Sequence, residues 1–189
     1  MASRSTSSRA TLGSSVGLSD AELLEIYRLI ALARALDERM WILNRAGRIP
    51  FVISGQGHEG AQVGIAWSLQ KGHDWIAPFY RSIATCLTFG MSARDIMTAQ
   101  YATADDPSSG GRQMPGHYGS HEHNILSVSS PVATQLLHAV GIALAAKIRR
   151  TGQPATGSWA SWSMARTCWP ATGRLAPRSP GPEPATARP

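Results

Sequence analysis

Apolar residues recur at steps of three and four positions along the first part of the chain, from Leu23 to Leu43. This spacing predicts one long amphipathic helix over residues 19–45. Ser19-Asp20-Ala21-Glu22 has the form of a capping box at its start, and Gly47 is placed to end it. Four charged residues between the apolar ones are expected to form the solvated or subunit-facing side of this helix: Arg34, Asp37, Glu38 and Arg39.

Shorter elements follow, in which extended runs alternate with helices that end near glycines. Extended segments are predicted over residues 49–54 and 75–81. A short helix through Ala61, Ile65 and Leu69 is predicted to stop at Lys71-Gly72. The remaining predicted elements are a helix ended at Gly90, a helix from Ser92 to about Ala102, and a loop over residues 105–111.

The stretch from Gly110 to Lys147 begins as a glycine-rich loop that carries candidate chemistry. The loop offers a cation, Arg112, and three histidines that can carry protons: His117, His121 and His123. We expect His121 and His123 to be surface residues, because their spacing matches no zinc-binding signature.

A hydroxyl-rich turn over residues 127–131 leads from this loop into a helix. Ser130 is the predicted N-cap and Pro131 the predicted first helical residue. Leucines and small residues occupy several sides of the helix, which predicts that it is buried. A rigid helix start with backbone N–H groups is a ready anion site, so we expect the chemistry here.

Length, cysteine content and hydropathy indicate how many domains the chain forms and which classes of protein it does not resemble. A length of 189 residues suits one domain. Cys86 and Cys168 offer neither a disulfide framework nor a metal-binding spacing, which suits a reducing compartment. No apolar run reaches the roughly 18 residues that a membrane helix needs. The start of the chain lacks the apolar core of a secretory signal, so residues 1–17 are predicted to be a disordered arm.

The net charge of +6 raises the question of a nucleic-acid partner. The last stretch, residues 155–189, carries four arginines and one glutamate, and therefore half of this excess. The rest of the chain has no basic stripe interleaved with aromatic residues, which nucleic-acid-binding surfaces usually show. We expect neither a nucleic-acid partner nor a membrane partner.

Four segments, in this order and spacing, resemble one family. They are NRAGRIPFVISGQGHEGAQVG, APFYRSIATCLTFGMS, SSGGRQMPGHYGS and SSPVATQLLHAVGIALAAK. The family is the alpha subunit of the thiamine-diphosphate-dependent decarboxylating component of 2-oxo acid dehydrogenase complexes. The motif GGRQMPGHYG is most similar to the branched-chain, or 2-oxoisovalerate, members of the family. The resemblance covers the N-terminal part of the family pattern, over residues 18–154 of this chain.

The resemblance implies an α/β fold in which a parallel sheet is flanked by helices, with the portion present here mostly helical. It assigns the diphosphate of the cofactor to Tyr80 and Arg81, a pair whose hydroxyl and guanidinium donors suit an anion. Ser130 and Val132 are expected to contact the cofactor. His117 is expected near the reacting carbon as a proton carrier, because a histidine can change charge near neutral pH.

The same resemblance implies a potassium site and a magnesium site. A potassium ion would take oxygen ligands from one turn: Ser129, Pro131, Thr134 and Gln135. Family members bind the magnesium through a later Gly-Asp-Gly strand and an asparagine, and this chain does not carry that strand. We therefore expect the magnesium site to be missing here.

The implied reaction is the oxidative decarboxylation of a branched-chain 2-oxo acid, with transfer of the acyl group to a lipoyl group. The implied partners are a beta subunit, a lipoyl-bearing acyltransferase core and the small-molecule 2-oxo acid. A cytoplasmic location is expected, or the mitochondrial matrix in a eukaryote. Pyruvate and acetoin dehydrogenase alpha subunits are the alternatives at the level of the substrate.

The family pattern stops after Pro154, where a tail with three tryptophans and many prolines begins. Reading residues 158–166 in a shifted frame permits an aliphatic strand such as V-G-V-L-V-D-G. We therefore predict an incomplete thiamine-diphosphate-binding domain over residues 18–154. Residues 155–189 are predicted to be a frameshifted, disordered tail. Such a truncated chain should be inactive alone; the alternative is a non-catalytic fragment or interaction remnant.

Overall fold

The computed structural model describes residues 13, 16–153 and 155–157. Most of the predicted arm (1–17) and most of the predicted tail (155–189) lie outside these described residues. The described part holds five helices and two strands, which are α1 (Asp20–Arg45), α2 (Glu59–Trp67), β1 (Trp75–Ala77), α3 (Ile83–Phe89), α4 (Ala93–Gln100), α5 (Thr134–Arg149) and β2 (Ala155–Gly157).

The first predicted helix is confirmed as α1, together with its cap. The backbone N–H of Glu22 donates to Ser19 Oγ, and the N–H of Ser19 donates to the Glu22 carboxylate, so the capping box is complete. Gly47 follows with φ of 68°, a left-handed conformation that a residue with a side chain adopts only at a cost. The buried face of α1 carries Leu29, Ala33, Leu36, Asp37, Met40 and Leu43.

Asp37 corrects one expectation about this helix. It was predicted on the solvated or subunit-facing side, but its residue is only 2% exposed. Its carboxylate accepts hydrogen bonds from Ser54 and Gly55, two residues of the segment between α1 and α2. A charged side chain can lie on the buried face because these bonds compensate for lost hydration.

The two strands form a parallel pair in which Trp75, Ile76 and Ala77 lie opposite Ala155, Thr156 and Gly157. Ile76 also bonds residues 124–126, since its N–H donates to Asn124 and its carbonyl accepts from Leu126. β2 begins at Ala155, the first residue of the predicted tail. Parallel pairing across a long intervening segment is typical of α/β folds.

The core lies between α1, α2, α3 and α4. α3 is buried along its whole length, and α4 begins with a second capping box, Ser92 with Asp95. Residues buried here from beyond α1 include Val63, Ile76, Cys86, Phe89 and Ile96. The predicted class, α/β with a parallel sheet and mostly helical in the portion present, is confirmed. Among the described helices none combines the length and the apolar character needed to cross a membrane.

The start of α5 differs from the prediction. The helix begins at Thr134, and its N-cap is Ala133, whose φ of 71° is left-handed. Ser130 therefore does not cap the helix, and Pro131 is not its first residue. The Ser130 hydroxyl is bonded to His117 instead.

α5 is also less buried than its composition predicts. One face packs on the two strands through Gln135, Ala139 and Ala146. The other face carries an apolar stripe, defined here as Leu137, Val140, Leu144 and Ile148, whose exposure runs from 56% to 75%. The expectation of a helix buried on several sides is wrong for this chain.

Candidate functional site

A cleft of about 290 Å³ opens where four separate segments of the chain meet. Loop residues before α2 form one wall, and the residues that follow β1 form the next. The glycine-rich loop and the turn before α5 complete it. The lining residues are Phe51, Val52, Ile53, Tyr80, Arg81, Met114, His117 and Ser130.

His117 and Ser130 form the polar centre of this cleft. His117 Nε2 lies 2.7 Å from Ser130 Oγ, and its Nδ1 lies 3.5 Å from the carbonyl of Pro115. The imidazole is only 8% exposed, and it stacks on the ring of Tyr80 at 6.4 Å between centroids. A hydroxyl can donate to or accept from an imidazole nitrogen, so the pair can pass a proton between them.

Arg81 is held at both its backbone and its side chain. Its Nη1 donates to the Ser54 carbonyl at 2.7 Å, and its guanidinium lies over the Tyr80 ring at 5.5 Å. The buried Gln62 amide donates to the Arg81 carbonyl at 3.0 Å and accepts from the N–H of Ala84 at 3.1 Å. A guanidinium carries five N–H donors in a fixed fork, which suits a phosphate or carboxylate.

A second buried amide, that of Gln100, links the segment of the apolar wall to the glycine-rich loop. Gln100 on α4 is 1% exposed. With its nitrogen donating to the Phe51 carbonyl at 3.2 Å, its oxygen accepts from the N–H of Gly116 at 3.3 Å. This amide links the apolar wall to the segment that carries His117, so both are supported by one helix.

Glu59, at the start of α2, is bonded to α1. Arg34 Nε donates to its carboxylate at 2.6 Å, and the N–H of Gly57 donates at 2.8 Å. Burial opposes the charged form of this carboxylate, but the bond from Arg34 and the backbone donors outweigh it. The pKa of Glu59 is therefore lowered from its ordinary value of 4.5. The loop before α2 is thus fixed to α1 by an ion pair.

The residues predicted to bind potassium lie in the turn before α5 (Ser129 and Pro131) and at the start of α5 (Thr134 and Gln135). The Gln135 amide is 1% exposed, and its nitrogen donates to the Ser129 carbonyl at 3.1 Å. Its Oε1 is buried and has no partner among the described residues. A buried amide oxygen without a donor suits a hard cation, which prefers oxygen ligands. The Pro131 carbonyl faces the N–H of Thr134 at 3.5 Å.

Two other ionisable groups near the core are unsuited to reaction. Burial raises the pKa of the Cys86 thiol and of the Tyr118 phenol far above neutrality, so both stay protonated. Within residues 13, 16–153 and 155–157, no three His, Cys, Asp or Glu side chains are grouped to hold a metal ion.

The cleft unites four of the residues singled out from sequence: Tyr80, Arg81, His117 and Ser130. Val132 lies apart, since it is 55% exposed and outside the lining. His121 is exposed and His123 is half-buried, and neither lines the cleft.

Sequence reasoning missed the apolar wall and its supports. The wall residues Phe51, Val52, Ile53 and Met114 lie in segments for which the sequence predicts only an extended run and a loop. A short apolar run with no strand partner was the available signal. The anchoring role of Gln62 and Gln100 had no signal, because a glutamine on a helix is ordinarily solvated.

Comparison with known proteins gives a consistent picture. A family model described as "Dehydrogenase E1 component" matches residues 27–157. The "2-oxoisovalerate dehydrogenase subunit alpha" of Bacillus subtilis is 54% identical over 135 residues, which are 71% of this chain and 41% of that protein. The mitochondrial subunit of the same name from Mus musculus is 37% identical over 130 residues, covering 69% of this chain and 29% of that protein.

The corresponding mitochondrial protein of Caenorhabditis elegans is 38% identical over 124 residues, which are 66% of this chain and 28% of that protein. This chain therefore spans less than half the length of each of these relatives. The family match begins within α1 and runs to the end of β2, so it includes every segment that lines the cleft. The chain belongs to the dehydrogenase E1 component family.

Proposed function

We propose that this chain is an alpha subunit of a thiamine-diphosphate-dependent 2-oxo acid dehydrogenase that acts on branched-chain 2-oxo acids. One observation carries the proposal: Tyr80, Arg81, His117 and Ser130 converge on one cleft that also has an apolar wall. The relatives named 2-oxoisovalerate dehydrogenase subunit alpha support the substrate class. The pyruvate and acetoin enzymes are the substrate-level alternatives.

The residues of the cleft fit the diphosphate of thiamine diphosphate. Arg81 offers a charged fork, and Tyr80 beside it offers a neutral hydroxyl donor. Thiamine diphosphate, when bound, would supply a nucleophilic carbon that adds to the keto group and a cationic ring that accepts the electron pair released when carbon dioxide leaves. The task of this chain is to hold the anion, to exclude water and to manage protons near the reacting atoms.

His117 is the proton carrier in this proposal. Its Nε2 is bonded to Ser130 Oγ, which fixes the ring plane and gives the proton a defined acceptor or donor. Stacking on Tyr80 restrains the ring further. The bond to Ser130 and the stacking on Tyr80 together hold the His117 imidazole in one orientation within the cleft.

The apolar wall suits a branched aliphatic chain. Phe51, Val52, Ile53 and Met114 present hydrocarbon and a thioether to the cleft. Burial of an aliphatic group against them is favourable by about 25 cal/mol per Å². A substrate with only a methyl group there would gain less, which favours branched-chain acids over pyruvate.

Two cations enter the proposal differently. Potassium would bind at Ser129, Pro131, Thr134 and Gln135, where the partnerless Gln135 oxygen supports it. Magnesium, which the resemblance implies, is assigned no ligand from this chain. A beta subunit and a lipoyl-bearing acyltransferase core are the proposed partners, and they would supply the remainder of the site and the acyl acceptor.

The test uses the full chain, co-purified with a beta subunit in the presence of magnesium and potassium. Calorimetric titration with thiamine diphosphate should show binding. Arg81→Gln should weaken it by about 10- to 100-fold, because a charged hydrogen bond is worth about 1.5–3 kcal/mol. Glu25→Gln, which removes an exposed ion pair on α1, is the control and should leave binding unchanged. Absence of binding to the wild-type complex would refute the proposal.

A second candidate is a non-catalytic interaction fragment, and the open apolar stripe of α5 favours it. A fragment of this kind would associate with the beta subunit and yet bind no thiamine diphosphate. The same titration, together with a co-purification assay, separates the two functions.

A further inference from the structure

We propose that Asp37 is a positioning residue for Arg81, acting through the backbone of Ser54 and Gly55. Asp37 lies on α1, outside the cleft lining, and touches no group that a ligand would reach. The inference rests on the proposed function, in which Arg81 binds the diphosphate.

The first step of the connection runs from the carboxylate to the loop. Asp37 Oδ2 accepts from the N–H of Gly55 at 2.7 Å and from Ser54 Oγ at 3.0 Å. Both partners belong to the segment that follows the apolar wall residue Ile53. Bonds to an ionised acceptor are about twice as strong as neutral ones, so this pair of residues is firmly held.

The second step runs from the loop to the arginine. The carbonyl of Ser54 accepts from Arg81 Nη1 at 2.7 Å. A Cβ built on Gly55 would lie 2.5 Å from the Arg81 carbonyl oxygen, so the two backbones are in direct contact. A shift of the Ser54–Gly55 peptide therefore moves the acceptor that orients the guanidinium.

The third step concerns why orientation matters. A free arginine side chain has many rotamers, and binding an anion would fix them at an entropic cost. The Ser54 carbonyl fixes the fork before a ligand arrives, and preorganisation of this kind improves affinity. Gln62 holds the Arg81 backbone but contacts no guanidinium atom in the described structure. The carboxylate of Asp37 thus supports the side-chain half of the arrangement.

The choice of an acid is informative. Asp37 Oδ1 is buried without a partner in the described part of the chain, which is an unfavourable arrangement for a residue with only a packing role. Asparagine would keep the shape and a neutral acceptor, and it would lose the charge. Asp37→Asn therefore tests the charge-assisted support with little change in volume.

The experiment measures inorganic pyrophosphate binding to the full chain in complex with the beta subunit. Asp95→Asn is the matched control, because Asp95 also accepts from a backbone N–H and a serine hydroxyl but lies at the start of α4. Asp37→Asn should weaken pyrophosphate binding by about tenfold, the equivalent of one lost supporting interaction. Asp95→Asn should change the affinity by less than about twofold, even if it lowers the Tm equally.

A second measurement reports on Arg81 directly. The ¹⁵N signals of its Nη groups, assigned by their loss in Arg81→Gln, should be distinct in the wild type because Nη1 is bonded to Ser54. They should coalesce in Asp37→Asn and stay distinct in Asp95→Asn. This signature depends on the orientation of the guanidinium and not on global stability.

The outcomes are separable. Distinct Arg81 signals that coalesce only in Asp37→Asn would support the positioning role even if the wild type bound no pyrophosphate, a result that would refute the proposed function alone. Unchanged Arg81 signals and unchanged affinity in Asp37→Asn would overturn the positioning role. If Asp37→Asn does not fold, Ser54→Ala removes one of the two bonds to Asp37 and should weaken binding by about threefold. No effect of Ser54→Ala on affinity or on the signals would then overturn it.

Discussion

At the residue scale, the Ser130 hydroxyl could either cap α5 or form a hydrogen bond with His117. It sits before a helix, where it could cap the backbone, and beside a histidine, where it can share a proton. Its Oγ lies 2.7 Å from His117 Nε2. α5 begins at Thr134, and its N-cap residue Ala133 offers no side-chain hydrogen bond to the first turn. The Ser130 hydroxyl therefore orients the imidazole and does not stabilise the helix start.

Gly55→Ala should destabilise the chain and weaken anion binding together. The added methyl would lie 2.5 Å from the Arg81 carbonyl oxygen, a backbone atom that cannot rotate away. The expected loss of unfolding free energy is about 1–3 kcal/mol, typical of overpacking. Urea denaturation measures it, with Gly60→Ala as the control because a Cβ there meets nothing within 4 Å. Equal stability of the two variants would contradict the close approach.

Glu59→Gln should lower stability in a pH-dependent way. The folded-state pKa of Glu59 is lowered, so its carboxylate stabilises the folded chain above about pH 4.5. This contribution is lost as the pH falls through the lowered folded-state pKa. The stability difference between wild type and Glu59→Gln should be about 1–3 kcal/mol at pH 7 and should shrink as the solution is acidified below pH 4. Chemical denaturation at several pH values measures it, and a pH-independent difference would be inconsistent with the ion pair to Arg34.

At the scale of elements, local signals were sufficient for α1 and insufficient for α5. The Ser19–Glu22 box and the apolar period of α1 are both local in sequence, and both are confirmed. Near the start of α5 the Ser130 hydroxyl is bonded to His117, a residue 13 positions earlier, and it does not cap the helix. The sequence therefore predicted the helices and strand β1 but not the exact helix start.

The candidate site divides in the same way. Tyr80, Arg81, His117 and Ser130 are identifiable from motifs, and the cleft unites them. The apolar wall combines the Phe51–Ile53 segment with Met114, residues far apart in sequence, so no local pattern encodes it. The burial of Asp37 depends on donors from another segment, so a charged residue on an amphipathic helix could not be placed from periodicity alone.

Ala133→Gly distinguishes the two descriptions of the α5 start. In the structure Ala133 is left-handed, with φ of 71°, so glycine should stabilise the chain by about 1 kcal/mol by relieving strain. If the helix began at Pro131, residue 133 would be helical and glycine would cost about the same amount. The urea midpoint gives the sign, and Ala139→Gly within α5 is the destabilising control.

At the scale of the whole molecule, the sheet has two short strands, and one helix covers it on one side. β2 pairs with β1, and α5 contacts both. The opposite face of α5 carries the apolar stripe, which is exposed in the described structure. Each of these relatives is more than twice as long as the stretch matched here.

We propose that the chain is read from a shifted frame after about residue 157, which gives a prediction about the native product. The protein purified with its partner from its natural source should be heavier than 20.2 kDa, with peptides that read through an Asp-Gly strand. Genomic sequencing across codons 150–165 should show a missing or extra base. A native mass of 20.2 kDa with an intact reading frame would exclude the shift.

The apolar stripe of α5 has a further consequence inside a cell. Chaperones and proteases recognise unfolded chains by exposed hydrocarbon, and Leu137, Val140, Leu144 and Ile148 present it on an otherwise folded helix. A folded copy in which this stripe stays exposed should be degraded faster than one in which it is covered. The cellular half-life of this protein should therefore be shorter while the apolar stripe is exposed than when another protein surface covers it.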